Sequence, residues 1–115
     1  MKSFFRSFIY ALHGIWSGVA DQRNLKFQLA IAVVVIGAGF YVSITPIEWC
    51  IILLCIALVI GLELVNTALE NLVDLVTIER NPLAGKIKDI AAGAVLIVSV
   101  ISLIIGLIIF RKYLI

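Results

Sequence analysis

The feature that most constrains this chain is an uncharged run of 21 residues, positions 90–110, near its C-terminal end. An α-helix of about 20 apolar residues crosses the roughly 30 Å hydrocarbon core of a bilayer. The whole chain has the same character, because 63% of its residues are hydrophobic and only 14% are charged, with a mean hydropathy of +1.21. In soluble domains about a quarter of the residues are charged. The sequence therefore predicts an integral membrane protein.

Two other segments are apolar enough to cross a membrane. The first is interrupted by Gln28 and then carries no charge until Glu48, and the second follows Thr45-Pro46, a turn signal with proline at a helix start. A break with Asn-Pro and Gly, residues 79–86, separates the second segment from the third. We expect one membrane domain, residues 1–115, with span 1 at 27–44, span 2 at 46–78 including a cytoplasmic extension, and span 3 at 86–111.

The N-terminal segment, residues 3–20, has apolar residues at three- and four-residue steps and basic residues on the opposite side. This pattern predicts an amphipathic helix, and its Phe and Trp side chains favour a position in the membrane interface over packing on a soluble core. Arg6 and His13 interrupt the apolar stretch, so we do not expect a cleaved signal peptide. The predicted fold class is an all-α membrane protein with a surface helix and three transmembrane helices.

The distribution of lysine and arginine predicts how the spans are oriented, because these residues favour the cytoplasmic side. Seven of them precede span 1 or separate spans 2 and 3: Lys2, Arg6, Arg23, Lys26, Arg80, Lys86 and Lys88. The N-terminus and the second loop should therefore be cytoplasmic, which leaves Arg111 and Lys112 on the outer side, against the rule. The net charge of +2 is too small and too dispersed for a nucleic-acid-binding surface.

Span 2 carries a polar face. Glu63, Asn66, Glu70 and Asp74 fall within roughly 80° of one another on a helix. A carboxylate deep in a bilayer costs on the order of 2.5–3.5 kcal/mol on insertion scales, so such residues usually face a site or a bundle interior. The deepest, Glu63, is a plausible proton acceptor for a lipid hydroxyl. Glu70 is suited to Mg²⁺, which binds carboxylates together with substrate phosphates.

Two alternatives explain the same polar face. It is compatible with hydrogen bonding between helices of a bundle, for which Asn66 and Thr67 suffice. It is also compatible with a small proton- or cation-coupled transporter, in which a membrane-embedded Glu binds a cationic substrate. The residues alone do not distinguish a transporter from a lipid enzyme. Since neither a Walker A pattern nor a protein-kinase signature is present, any nucleotide site must be unconventional.

A longer pattern adds a resemblance. Residues 63–74 read ELVNTALENLVD, and they are followed by Lys88-Asp89 and by AAGAVL at positions 91–96. This string closely resembles the prokaryotic diacylglycerol kinase family, and the resemblance covers nearly the whole chain, including YALHG at positions 10–14 of the surface helix.

The resemblance implies a small lipid kinase, a homotrimer of three-span subunits in the prokaryotic inner membrane, with its N-terminus and active site on the cytoplasmic side. Such enzymes transfer the γ-phosphoryl group of ATP, with Mg²⁺, to a membrane alcohol. Phosphoryl transfer needs mainly positioning and charge neutralisation, so a P-loop is not required. By resemblance, Glu63 is the general base, Asn66 and Asp74 support the site, Glu70 binds the metal and ATP, and Tyr10, Glu79, Lys88 and Asp89 contact ATP.

One position departs from the family. Gln22 stands where a second metal-binding Glu usually precedes span 1, and Gln offers one neutral oxygen. Gln22 is therefore a weak candidate ligand, and a catalytically inactive bundle is an alternative to an active kinase. Both diacylglycerol and undecaprenol are substrates within this family. We expect diacylglycerol as the acceptor, giving phosphatidic acid, with undecaprenol as the alternative.

Overall fold

The computed structural model describes residues 2–114, and this part of the chain is entirely helical outside short connections. Three of the helices are long and apolar enough to cross a membrane, and the first is not among them. This confirms the prediction of an all-helical membrane protein with three possible spans. The helices are α1 (Lys2–Asp21), α2 (Arg23–Val42), α3 (Pro46–Val76) and α4 (Pro82–Leu114).

A single residue separates α1 from α2. Gln22 adopts an extended conformation, with φ −115° and ψ 117°, and α2 begins at the next residue. The first of the three apolar helices, α2, thus starts four residues before residue 27, where we expect span 1 to begin. It ends at Val42, two residues before the expected residue 44. It ends there because Ser43 is left-handed, with φ 57°, which terminates a helix.

A capping box fixes the start of α3. Thr45 Oγ1 accepts a hydrogen bond from the Glu48 backbone N–H (3.2 Å), and the Glu48 carboxylate accepts one from the Thr45 backbone N–H (2.9 Å). Pro46 occupies the first turn, where its missing N–H leaves no bond unmade. At the other end α3 stops at Val76, two residues before the expected residue 78, because Thr77 is extended.

α4 begins earlier in the chain than residue 86, where we expect span 3 to begin. The side-chain oxygen of Asn81 accepts hydrogen bonds from the backbone N–H groups of Leu83 (2.8 Å) and Ala84 (3.3 Å). Asn81 is therefore the N-cap and Pro82 the first helical residue, a pairing that proline's fixed φ favours. The Asn-Pro step begins α4 four residues before the expected residue 86, within the segment 79–86 that we expect to break the helix.

Helices α2, α3 and α4 run antiparallel in chain order, since the end of α2 meets the start of α3, and both ends of α3 meet α4. Gly39 of α2 lies against Trp49 of α3, where a Cβ atom would come within 2.8 Å of the Trp49 ring. At the opposite end of this pair Leu25 is fully buried, and Gly18 of α1 packs against Leu64 of α3. Connections of one, three and five residues join the helices, and the end of α1 is thereby held beside the middle of α3.

Candidate active site

The polar face of α3 is buried at its centre. Glu63 is 4% exposed, and Asn66 and Thr67 are buried beside it. The Thr67 hydroxyl donates to the backbone carbonyl of Glu63 (3.0 Å), so this hydroxyl is satisfied within its own helix. The Glu63 carboxylate is thus surrounded by protein although the helix around it is apolar, which agrees with a group that faces a site and not lipid.

Asn66, buried one turn after Glu63, holds the next carboxylate of the polar face. Its amide Nδ2 donates to Glu70 Oε1 (3.1 Å), one helical turn further along α3. Its Oδ1 is buried and has no hydrogen-bond partner within residues 2–114. Buried polar atoms are nearly always paired, so an unpaired oxygen on the side chain that holds Glu70 is a free acceptor for a ligand or for water. Asn66 therefore orients Glu70 and keeps one acceptor open.

The polar face ends in an ion pair between α3 and α4. Lys88 Nζ lies 2.7 Å from Asp74 Oδ1, and the two side chains are 38% and 58% exposed. Along α3, Asp74 lies about 16 Å from Glu63 at 1.5 Å per residue. The face thus passes from a buried carboxylate to an accessible, charged end beside the α3–α4 loop.

A cavity of about 300 Å³ opens at this accessible end. Its lining includes the carboxylates of Asp74 and Glu79 and the cations of Arg80 and Lys88, a combination that suits a phosphate-bearing ligand with an associated cation. The residues lining it are Val73, Asp74, Thr77, Ile78, Glu79, Arg80, Asn81, Ala84, Gly85 and Lys88.

The structure brings some of the predicted site residues together and leaves others apart. Asp74, Glu79 and Lys88 line this one cavity. Tyr10 lies on α1 with 71% of its surface exposed, and Asp89 is exposed beside Lys88; neither lines the cavity. Gln22 is half-buried at the α1–α2 break, and its side chain makes no capping hydrogen bond.

Thr77 and Asn81 of the cavity wall were not predicted as site residues, and they shape the loop beside the cavity. Thr77 Oγ1 accepts from the Glu79 backbone N–H (3.2 Å), and Asn81 caps α4, so together they fix the loop that carries Glu79 and Arg80. The sequence signal for Asn81 was present, since Asn before Pro is a common helix start. Thr77 gave no comparable signal.

Within residues 2–114, no three His, Cys, Asp or Glu side chains converge as a metal site. Mg²⁺ does not need such a cage, because it is often bound by one or two carboxylates together with substrate phosphates and water. Glu70, held by Asn66 and one turn from Asp74, offers a carboxylate of this kind. The residues present therefore fit a Mg²⁺ ion that arrives with a nucleotide.

Comparison with known proteins connects this geometry to a family. The family described as Prokaryotic diacylglycerol kinase matches residues 9–110, which include the polar face, the loop and most of α4. The chain belongs to the prokaryotic diacylglycerol kinase family. The resemblance inferred from ELVNTALENLVD is thereby confirmed.

Relatives within the diacylglycerol kinase family carry two names. An undecaprenol kinase of Bacillus subtilis is 49% identical over 110 residues, which cover 96% of this chain and 89% of the relative. A diacylglycerol kinase of Synechocystis is 40% identical over 87% of this chain, which spans only 58% of that relative's length. A diacylglycerol kinase of Haemophilus influenzae is 32% identical over 76% of this chain and 75% of the relative.

Proposed function

We propose that this protein is an ATP-dependent lipid kinase that transfers the γ-phosphoryl group of ATP to the hydroxyl of a membrane lipid. Membership of the family supports this activity. The observation that carries the proposal is the continuous polar face, from buried Glu63 to the cavity around Lys88. The Glu63 end of this face lies at a depth that a membrane lipid reaches. The Lys88 end is accessible to a nucleotide from water.

In this mechanism Glu63 accepts the proton of the lipid hydroxyl as the oxygen attacks the γ-phosphorus. The bond from the γ-phosphorus to the bridging oxygen breaks, and ADP leaves with that oxygen. Burial of Glu63 excludes water, which would otherwise compete as the acceptor of the phosphoryl group. Asn66 holds Glu70 in place, and its unpaired Oδ1 can accept a hydrogen bond from the substrate. When bound with ATP, Mg²⁺ would be held by Glu70, with Gln22 as a weak second ligand, and would neutralise phosphate charge.

Lys88 is the cation that we assign to the phosphates of ATP. It pairs with Asp74, whose carboxylate therefore positions the Lys88 ammonium at the cavity wall. Glu79 lines the same cavity and is assigned to ATP as well. Tyr10 and Asp89 are assigned to ATP by resemblance alone.

The membrane arrangement is part of the proposal. We place α1 on the cytoplasmic surface as an amphipathic helix, and α2, α3 and α4 across the inner membrane, with the N-terminus and the cavity on the cytoplasmic side. The chain forms one membrane domain and assembles as a homotrimer. Many large apolar side chains of α3 and α4 are exposed in the single chain, among them Leu54, Leu72 and Leu107, and lipid or neighbouring subunits would cover them.

The acceptor lipid is open between two candidates. Diacylglycerol was the expected acceptor, and several relatives carry that name. The relative named undecaprenol kinase matches this chain with higher identity and over more of both chains, which favours undecaprenol. Both lipids present a hydroxyl near the interface, so the same Glu63 chemistry serves either.

The test is phosphate transfer from radiolabelled ATP by the purified protein in mixed micelles, with diacylglycerol and undecaprenol in parallel. We expect labelled lipid from at least one acceptor and none from Glu63→Gln. Thr67→Val is the matched control, because it changes a neighbouring side chain at the same depth whose hydroxyl bonds only its own helix. Wild-type protein that labels neither lipid would refute the proposed activity, and an active Glu63→Gln would remove Glu63 as the base.

A further inference from the structure

A second cluster of polar side chains lies at the other end of the α3–α4 pair, and the proposed mechanism does not use it. Glu48, in the first turn of α3, forms an ion pair with Lys112 and accepts a hydrogen bond from the Tyr113 hydroxyl, both in the last turn of α4. The same carboxylate accepts from the backbone N–H of Thr45. We call Thr45, Glu48, Lys112 and Tyr113 the outer clamp.

The carboxylate of the outer clamp is more enclosed than either side chain of the ion pair at the active site. The Glu48 side chain is only 10% exposed, and both of its oxygens have partners. Ile44, Ile52 and Ile109 form a buried apolar cluster at the same end of the molecule, with Trp49 and Tyr113 packed against it. A carboxylate with this many partners is held in one position, which ties the start of α3 to the end of α4.

The position of the clamp along the membrane normal follows from helix length. Residues 48 and 74 are about 39 Å apart along α3 at 1.5 Å per residue, whereas the hydrocarbon core is roughly 30 Å thick. The clamp and the Asp74–Lys88 pair therefore lie at opposite membrane surfaces. In the proposed orientation the clamp is on the outer surface.

This location bears on the two cations that oppose the positive-inside rule. Arg111 and Lys112 follow the apolar part of α4 directly, and cations so close to a span favour the cytoplasmic side. Between Asp21 and Glu63 the only acidic residue is Glu48. It is therefore the one carboxylate that α3 places at the same membrane surface as Arg111 and Lys112. Its carboxylate neutralises Lys112 directly, through the ion pair.

We propose that Glu48 fixes the membrane topology of α4: by pairing with Lys112 it holds the C-terminal end of α4 on the surface opposite the active site, beside the α2–α3 turn. This goes beyond the proposed function, since the clamp touches no substrate. It rests on the contacts of α3 with α4. The proposal requires that Lys112 is no longer neutralised once Glu48 has lost its charge. The C-terminal end of α4 would then shift toward the cytoplasmic side.

The test is chemical labelling of the C-terminus in intact cells, which does not depend on catalysis. Leu114→Cys is introduced into a chain with Cys50→Ala and Cys55→Ala, and the cells are treated with a membrane-impermeant maleimide before and after permeabilisation. We expect the parent to be labelled from outside. Glu48→Gln should shift the ratio of outward to inward C-termini by about tenfold toward the inside, because a charged hydrogen-bonded pair is lost.

Matched variants separate pairing from net charge. Adding Lys112→Gln to Glu48→Gln should restore outward labelling, whereas adding Arg111→Gln, which removes the neighbouring exposed cation, should restore less. The exchanged pair Glu48→Lys with Lys112→Glu keeps the ion pair and should also be labelled from outside, which covers the case that Glu48→Gln does not accumulate. The proposal would be overturned if Glu48→Gln were labelled like the parent, or if Lys112→Gln and Arg111→Gln restored outward labelling equally. It would also be overturned if the exchanged pair or the parent were labelled from the inside.

Discussion

Replacing Lys88, which pairs with Asp74, distinguishes a structural role of this lysine from a catalytic one. A structural role predicts a small loss of stability, whereas a catalytic role predicts a large loss of activity. The pair is short, at 2.7 Å, but its side chains are 58% and 38% exposed. Ion pairs in such exposed positions contribute about 0.2–1 kcal/mol to stability, since water and salt screen them. Replacing Lys88 by Met should therefore lower the free energy of unfolding by at most about 1 kcal/mol.

The effect on catalysis should be much larger. If Lys88 holds the phosphates of ATP, its ammonium stabilises charge that develops during phosphoryl transfer, and losing one such interaction costs about 10²–10³ in rate. Asp74→Asn keeps this ammonium and removes only the group that positions it. We therefore expect Asp74→Asn to lose less activity than Lys88→Met.

The assay measures kcat and the KM for ATP at saturating lipid, alongside thermal unfolding of the same preparations. Lys86→Met is the matched control, because Lys86 is an exposed cation on the same turn of α4 that does not line the cavity. We expect it to resemble wild type in both measurements. If Lys88→Met kept kcat/KM while its unfolding temperature fell, the assignment of Lys88 to ATP would be wrong and its role would be structural.

Three further changes test the metal site and the loop. Glu70→Gln should raise the Mg²⁺ concentration needed for half-maximal activity as well as lower the rate, and a Mg²⁺ titration identical to wild type would remove Glu70 as a ligand. Gln22→Glu should raise metal affinity, since a carboxylate replaces a neutral amide, and an unchanged or lower affinity would exclude this position from the site. Asn81→Ala should cost about 0.5–2 kcal/mol of stability through loss of the α4 cap, measured by thermal unfolding, whereas Asn81→Ser should retain most of it. Equal destabilisation by both Asn81 variants would contradict the capping role.

The parts of the fold that sequence predicts well are those encoded by nearby residues. The three apolar helices followed from uncharged runs, and the polar face of α3 followed from the spacing of four residues along one helix. The family was also predicted and is confirmed. The roles assigned to individual residues, by contrast, stay predictions that the experiments above address.

The helix boundaries and the long-range contacts were harder to predict for physical reasons. A left-handed Ser43 is unusual for a non-glycine residue, so the end of α2 gave no sequence signal. Asn81-Pro82 was interpreted as a break although the same pair caps α4. The contacts of Glu48 with α4 join residues more than sixty positions apart, and no local pattern encodes which cation meets which acid.

The short connections also determine how the molecule can respond to the bilayer around it. With one, three and five residues between successive helices, no connection can lengthen when the host membrane becomes thicker or thinner. A mismatch in hydrophobic thickness must instead be met by a change in helix tilt or by deformation of the lipid. Because neighbouring helices share these short connections, they must tilt together. A change in the acyl-chain length of the surrounding phospholipids should therefore change the depth of Glu63 in the membrane.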